Sequence, residues 1–330
     1  MSGKILITGA NGLIGSYLID EAIKNGLEVY AGVRKGSNHD ELKTKNTIIT
    51  FMDYNDSEGL IALIKTHQFD YIIHNAGITK SPDTAQFYEV NVKLLIHLCE
   101  AIEVSGVSLI KFVFISSLAA YGPADDLIDH IVTEDSTPKP VTAYGKSKLE
   151  AETYLKSRTS LPYVIIRPTA VYGPKDKEFL NVYQMIANGI SLQPGLESQF
   201  ITLIYTKDLA AIIIKACLSE YSKTAYFVTD GNLYSSDHFV NVIKKILNKP
   251  TINIKVPLFL VKIITFFTEN VSKLTGNYSI LNTDKVSELE ARYWNCDATK
   301  YKNELGYEIE YNLEKAIIES VAWYKQNKWL

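Results

Sequence analysis

A doubly wound α/β fold on a parallel sheet is predicted for this 330-residue chain, followed by a smaller mixed α/β region. Three observations carry the prediction. Short β-branched runs alternate with longer helical patterns through the first half, a glycine-rich turn joins the first run to the first helix, and the alternation loosens beyond Arg167. Strands are expected at Ile5 to Thr8, Glu28 to Val33, Thr47 to Phe51, Tyr71 to His74, Lys111 to Ser116 and Tyr163 to Arg167. Each is an apolar run of the length used by a parallel strand covered on both faces. Between them, Leu13 to Lys24, Gln86 to Glu103 and Ala143 to Ser157 carry apolar residues at three- and four-residue spacing, giving each a face to lay on the sheet.

Beyond Arg167, helices are expected at Asp208 to Leu218, Ser236 to Leu247, Pro257 to Leu274 and Leu313 to Asn327. No repeat, low-complexity tract or Gly/Ser linker separates the two parts, so they are expected to share an interface with a cleft between them. The division expected is 1–167 plus about 202–229 for the sheet domain, with 168–201 plus about 230–330 for the substrate region. The stretch Val256 to Phe267 is apolar but interrupted by Lys262, and it falls short of the roughly 20 residues a spanning helix needs. Its helical part, Pro257 to Phe267, reads as core.

Composition excludes several classes. A formal charge of -3 with no Lys/Arg-rich block argues against nucleic acid as the main partner. Cys99, Cys217 and Cys296 are odd in number and far apart, fitting neither a disulfide framework nor a zinc site. The opening Met1-Ser2-Gly3-Lys4 runs straight into a strand without the apolar segment of a signal peptide, so a cytoplasmic setting is expected. His39, His67, His74, His97, His130 and His238 are scattered over different elements, and no metal is expected.

The glycine-rich turn is Thr8-Gly9-Ala10-Asn11-Gly12-Leu13-Ile14-Gly15. Glycines at 9, 12 and 15 permit a tight turn, close backbone approach and close helix packing, while the helix N-terminus offers free N–H groups to a dinucleotide pyrophosphate. Gly9, Asn11, Gly12, Leu13, Ile14 and Gly15 are therefore the first cofactor-binding candidates, in a Rossmann-type arrangement. The second strand ends in Val33-Arg34-Lys35 with no acid. An arginine at that point suits the 2′-phosphate of NADP, which is favoured over NAD.

Tyr144 and Lys148 open the helix after the fifth strand, one turn apart on one face. An ammonium beside a phenol stabilises phenolate and prepares an acid/base pair for an alcohol or carbonyl. Thr79 and Lys80 follow the fourth strand, where such folds bind ligands, and Lys80 could meet an anionic substrate group.

Taken together, Thr8 to Gly15, Asp53, His74-Asn75-Ala76-Gly77, Ser116-Ser117 with Tyr121-Gly122, Tyr144 to Lys148, Arg167-Pro168 with Tyr172-Gly173-Pro174, Asp208 and Asp297 to Tyr307 make the chain resemble the extended short-chain dehydrogenase/reductase family, also called the NAD-dependent epimerase/dehydratase family. The resemblance spans essentially the whole chain. It implies that Ser117, Tyr144 and Lys148 are catalytic, with Ser117 holding the reacting oxygen, Tyr144 as general acid/base and Lys148 activating it and contacting the nicotinamide ribose. It further implies cofactor contacts from Asp53, from Asn75, Ala76 and Gly77, and from Pro168. Thr79, Lys80, Ser117 and Tyr172 are the substrate-side candidates. A homodimer through Gln86 to Glu103 and Ala143 to Ser157 is also implied.

Two departures narrow the reaction. Leu118 and Ala119 stand where sugar 4,6-dehydratases of the family carry an Asp-Glu pair, which disfavours dehydration. Ala170 stands where many nucleotide-sugar epimerases carry an asparagine for the substrate diphosphate. The leading expectation is an NAD(P)-dependent oxidoreductase acting at a secondary alcohol/ketone as a sugar or nucleotide-sugar epimerase/reductase. The alternatives are an NADP-dependent reductase/dehydrogenase of an apolar, hydroxysteroid- or dihydroflavonol-like compound, for which the resemblance implies that Pro257 to Phe267 is a lid over the substrate, and a non-catalytic NADP-sensing protein.

Overall fold

The computed structural model describes residues 3–126, 131–275 and 282–330. Six strands lie where the sequence places them, within a residue or so: β1 (Lys4–Thr8), β2 (Glu28–Val33), β3 (Ile48–Phe51), β4 (Tyr71–His74), β5 (Lys111–Ile115) and β6 (Tyr163–Pro168). The helices of the first half are α1 (Leu13–Lys24), α2 (Ser57–His67), the short α3 (Ala85–Phe87), α4 (Leu94–Ser105) and α5 (Ala143–Ser157). After them come β7 (Ala170–Tyr172), α6 (Leu180–Ala187), β8 (Ile190–Pro194), β9 (Phe200–Tyr205), α7 (Thr206–Leu218) and β10 (Thr224–Val228). The chain ends with β11 (Leu233–Ser235), α8 (Ser236–Leu247), β12 (Ile252–Val256), α9 (Leu258–Thr275), α10 (Thr283–Glu290), β13 (Tyr293–Trp294), α11 (Thr299–Leu305) and α12 (Leu313–Gln326).

Seven strands form one parallel sheet in the order β10-β6-β5-β4-β1-β2-β3. Alternate residues of each strand feed opposite layers, as the pleat requires. Ile5 and Ile7 of β1 pack with Leu18 and Ile19 of α1 and with Leu209 and Ile213 of α7. Leu6 of the same strand joins Leu60 of α2, Leu98 of α4 and Leu155 of α5 on the other side. Both faces are thus covered. The strand order reverses between β1 and β4, and the crevice at the carboxyl ends of those strands is the natural ligand site of such a sheet.

The helix expected from Gln86 contains a π-helical turn at Tyr88–Lys93 before α4 begins. In the sheet domain α2 and β10 escaped the sequence reading, and beyond it so did α6 and α10. In α2, only Leu60 and Ile64 are buried, too few to mark a clear period. β10 follows the region where alternation fades, yet it closes the sheet beside β6.

The second region is built on β9, which pairs with β7, β11 and β13, and on the two-stranded β8–β12 ladder. Its core joins Tyr183 of α6, Phe239 and Ile243 of α8, and Ile317 and Tyr324 of α12. β9 lies in this second sheet, while α7 directly after it packs back on the first, so the two regions are interleaved. Ala298, Tyr301 and Leu305 around α11 return to the α1/α7 layer.

Candidate active site

A cleft of about 2560 Å³ runs along the carboxyl ends of β1, β2, β4, β5 and β6 and is walled on the far side by α10. Gly9 takes φ +62°, a left-handed conformation that glycine adopts without Cβ strain, and a Cβ there would lie 2.9 Å from backbone atoms of Ala76. The Thr8 hydroxyl accepts hydrogen bonds from the amides of Asn75 and Ala76, each at 3.1 Å. With both lone pairs engaged, it donates to His74 Nδ1 at 3.1 Å. Burial pushes the His74 pKa down to about 3, so the ring is neutral and serves as a packed acceptor, as expected of a strand-end residue.

Gly12 caps α1 without any side-chain hydrogen bond, so N–H groups at the helix N-terminus face the cleft. Gly9, Asn11, Gly12, Leu13 and Ile14 line it. Gly15 does not. It packs behind the turn, where a Cβ would overlap the Gly9 carbonyl and approach Ala10 Cα to 2.8 Å. The cradle has the donors and the free space that a dinucleotide pyrophosphate requires. Arg34 and Asp53 are exposed at the β2–β3 end of the cleft, and among the described residues Arg34 makes no ion pair. Asp53 Oδ1 accepts from the amide of Asn55 at 2.9 Å.

At the other end the cleft gathers Asn75, Ala76, Gly77, Thr79, Lys80, Ser117, Tyr144, Lys148 and Pro168. Ser117 caps the turn after β5 by accepting from the Ala119 amide at 3.1 Å. The first turn of α5 presses on the Ala119 carbonyl, and Gly145 is required there because any Cβ would overlap that oxygen. The Lys148 ammonium donates to the Ile115 carbonyl at 2.9 Å and stands 6.0 Å from the centre of the Tyr144 ring. It has two further protons for acceptors in the cleft.

The expected depression of the phenol is overturned: burial pushes the Tyr144 pKa well above its ordinary value, opposed by Ser117 and reinforced by Glu178 and Glu288. Tyr144 therefore rests as a proton donor. Burial also lowers Lys148 to about 8, with Glu152 partly opposing the shift.

Tyr172 is the substrate candidate that the structure removes from the site. It is 1% exposed, absent from the cleft wall, and packed among Phe179, Tyr205 and Phe239. Thr79 and Lys80 do reach the cleft, where both bind the carboxylate of Glu178, at 3.2 and 3.4 Å.

Three positioning residues were missed. Buried Asn91, in the π-helical turn, accepts from the Ile78 amide at 2.8 Å and donates to Ser147 Oγ at 3.0 Å, tying the loop after β4 to α5. Asp284 of α10 accepts from the Ala143 amide at 2.9 Å, a second cap on the helix that carries Tyr144. Glu152 of α5 holds buried Arg167 of β6 through two bonds of 2.9 and 2.8 Å and accepts from Ser116 Oγ at 2.6 Å. None had a local signal, because each acts across 13 to 141 residues of chain. Among the described residues no cluster could hold a metal ion; His130 lies outside them.

Comparison with known proteins identifies the family. Residues 5–227 match the model of the NAD dependent epimerase/dehydratase family. The UDP-glucose 4-epimerase of Vibrio cholerae is 28% identical over 297 residues, covering 85% of this chain and 88% of that protein. The ceramide reductase of Caulobacter vibrioides is 24% identical, covering 99% and 96%. The crystal structure of UDP-glucose 4-epimerase with UDP-glucose from Thermotoga maritima superposes with a TM-score of 0.80 at 21% identity, covering 98% of this chain and 99% of that one.

The lowered lysine has two opposite consequences above its folded pKa. Between pH 8 and 10.5 the folded chain has released a proton that an unfolded lysine still holds, so stability should rise with pH in that window. Turnover should fall over the same range as the ammonium is lost, and Lys148→Arg should move that limb to higher pH. Urea midpoints and a pH–rate profile read the two trends; a rate that holds constant from pH 7.5 to 10 would contradict the assignment.

Proposed function

The chain belongs to the NAD-dependent epimerase/dehydratase family of enzymes, and from that premise we propose that it acts on a secondary alcohol/ketone centre of a sugar or nucleotide-sugar, as an epimerase/reductase. One observation carries the reading: Ser117, Tyr144 and Lys148 share one end of a cleft whose other end is an uncapped helix N-terminus with a glycine cradle. The residues that would hold the dinucleotide are Gly9, Asn11, Gly12, Leu13 and Ile14 at the pyrophosphate, with Gly15 packing the turn behind them. Arg34 and Asp53 would serve at the adenosine end, and Asn75, Ala76, Gly77, Pro168 and Lys148 toward the nicotinamide. When bound, the nicotinamide ring supplies the hydride acceptor or donor.

The protein's own groups move the proton. In oxidation the substrate hydroxyl gives its proton to Tyr144 as the carbon loses hydride; in reduction the phenol returns it to the carbonyl oxygen. Ser117 holds that oxygen and orients it. Because burial keeps Tyr144 protonated at rest, the phenol is primed for the reductive half, and Ser117, which opposes that shift, would help the phenolate form in the oxidative half. Leu118 and Ala119 are both buried, with no carboxylate or base at the dehydratase positions. A substrate region made of 168–201 and about 230–330, a cytoplasmic setting and a homodimer through residues 86–103 and 143–157 belong to the same proposal. The three cysteines support the reducing compartment, being free and buried.

NADP is the inferred cofactor, supported by the exposed Arg34, which makes no ion pair among the described residues. A charge-assisted contact of about 1.5–3 kcal/mol corresponds to roughly 10- to 100-fold in affinity. Arg34→Ala should weaken NADP by that factor in a fluorescence titration while leaving NAD within about threefold. Equal losses for both dinucleotides would remove the inference. A second reading, an NADP-dependent reductase of an apolar ketone, is favoured by Ala170 in the cleft wall and by the ceramide reductase relative.

One assay separates the two. Uridine- and thymidine-linked hexoses should interconvert with no net change in reduced cofactor. Tyr144→Phe should lose about 10²- to 10⁴-fold in rate with dinucleotide binding retained. Turnover confined to steroid-like or flavonoid ketones, with stoichiometric cofactor consumption, would replace the sugar reading. Full activity in Tyr144→Phe would remove the catalytic assignment.

A further inference from the structure

The apolar helix read in the sequence as core or lid is neither. Of α9, Val261 and Thr265 face the protein and are buried, whereas Phe259, Leu260, Ile263, Ile264, Phe266 and Phe267 are exposed, the three phenylalanines by 61, 66 and 64%. At about 100° per residue these six fall on one uninterrupted arc of roughly 160°, opposite the buried pair. Lys262 lies at the edge of the arc and pairs with Glu290 of α10. β12 runs into α9 through Pro257, and its ladder with β8 adds a second apolar surface. Ile252 and Ile254 are in register with Ile190 and Leu192, and all four are exposed. An exposed apolar face of this extent marks a docking surface.

Charge says what docks there. Residues 238–268 contain five lysines, at 244, 245, 249, 255 and 262, and no aspartate or glutamate, within a chain whose formal charge is -3; Lys245 and Lys262 pair with Glu314 and Glu290, while Lys244, Lys249 and Lys255 make no ion pair among the described residues. We propose that α9 and the β8–β12 ladder form a peripheral membrane-docking face, with the apolar arc entering the headgroup region of a bilayer and the lysines meeting anionic lipid. An amphipathic helix with an apolar arc and flanking lysines has the composition of one that lies in the interface plane. Among the described residues no helix is long and apolar enough to cross a membrane, so the contact is a surface one.

A second copy of the chain fits less well. A twofold interface sets a patch against itself, which would bring Lys244, Lys249 and Lys255 of two copies together, while the neighbouring Glu290 and Glu314 are already held by Lys262 and Lys245. Docking would also place the cleft beside the lipid, because α10 packs on α9 through the Lys262–Glu290 pair while Thr283, Asp284 and Glu288 form the cleft wall. The inference concerns a surface away from the reacting groups and does not rest on the proposed chemistry.

The test is flotation of the full chain with vesicles of phosphatidylcholine alone and of phosphatidylcholine mixed with phosphatidylglycerol, at low and high salt. Each lysine near an anionic surface is worth about fivefold in binding, so partition should favour the anionic vesicles and weaken with salt. The combined variant Phe259→Ser, Phe266→Ser, Phe267→Ser should lose at least about a hundredfold in partition, and Lys249→Glu with Lys255→Glu should remove the preference for anionic lipid. Retained dinucleotide binding and an unchanged circular dichroism spectrum show that both variants fold. Failure of the wild-type chain to float with either vesicle would overturn the proposal. So would partition unaffected by the phenylalanine changes, or a dimer in sedimentation that those changes convert to monomer.

Discussion

The close approach of two backbone turns at the reversal point of the sheet is the constraint on which the site depends. Thr8 holds the amides of Asn75 and Ala76, and Gly9 abuts the backbone of Ala76 with no room for a side chain. That contact fixes the turn entering α1, which in turn aims the free N–H groups of the helix into the cleft. It also fixes the loop after β4, whose Gly77 leaves Lys148 room: a Cβ there would lie 3.3 Å from the ammonium. The glycine turn and Lys148 are thus two ends of one packed arrangement.

The helix that carries Tyr144 and Lys148 is held with comparable redundancy. Thr142 caps its first turn from within at 2.9 Å, Asp284 caps it from α10, and the Arg167–Glu152 pair anchors its middle to β6. A buried ion pair is weak evidence of stability but strong evidence of placement, because either charge alone would be costly to bury. Arg167 is further enclosed by the rings of Tyr121 and Phe227, at 4.1 and 4.9 Å. Proton transfer depends on close placement, and for the proposed chemistry these buried polar groups would supply it.

What the sequence revealed was whatever is local. The six strands, the glycine turn and the Tyr144/Lys148 spacing each rest on a pattern within one element or one turn. Hidden features depended on distant partners. β10 looks like any short apolar run until β6 is beside it. Asn91 and Asp284 act across loops whose geometry no spacing rule reports. Tyr172 was misplaced because its neighbours Thr169 to Val171 reach the cleft wall while its own side chain, one step along the strand, turns into the aromatic core. The same limit explains the phenol. A lysine one turn away suggests an easily ionised tyrosine, but only three-dimensional burial shows how strongly the neutral form is favoured.

The central claim is that the turn from Gly9 to Gly15 is shaped to hold a nicotinamide dinucleotide against Lys148 and Tyr144. Its most direct measurement is a binding titration of NADP and NAD against the purified wild-type chain and against Gly15→Val, whose side chain would overlap the Gly9 carbonyl. Saturable binding to the wild type, lost in a variant that still unfolds cooperatively, is the predicted result. A wild-type chain that binds neither dinucleotide, or a variant that binds as tightly as the parent, would contradict it.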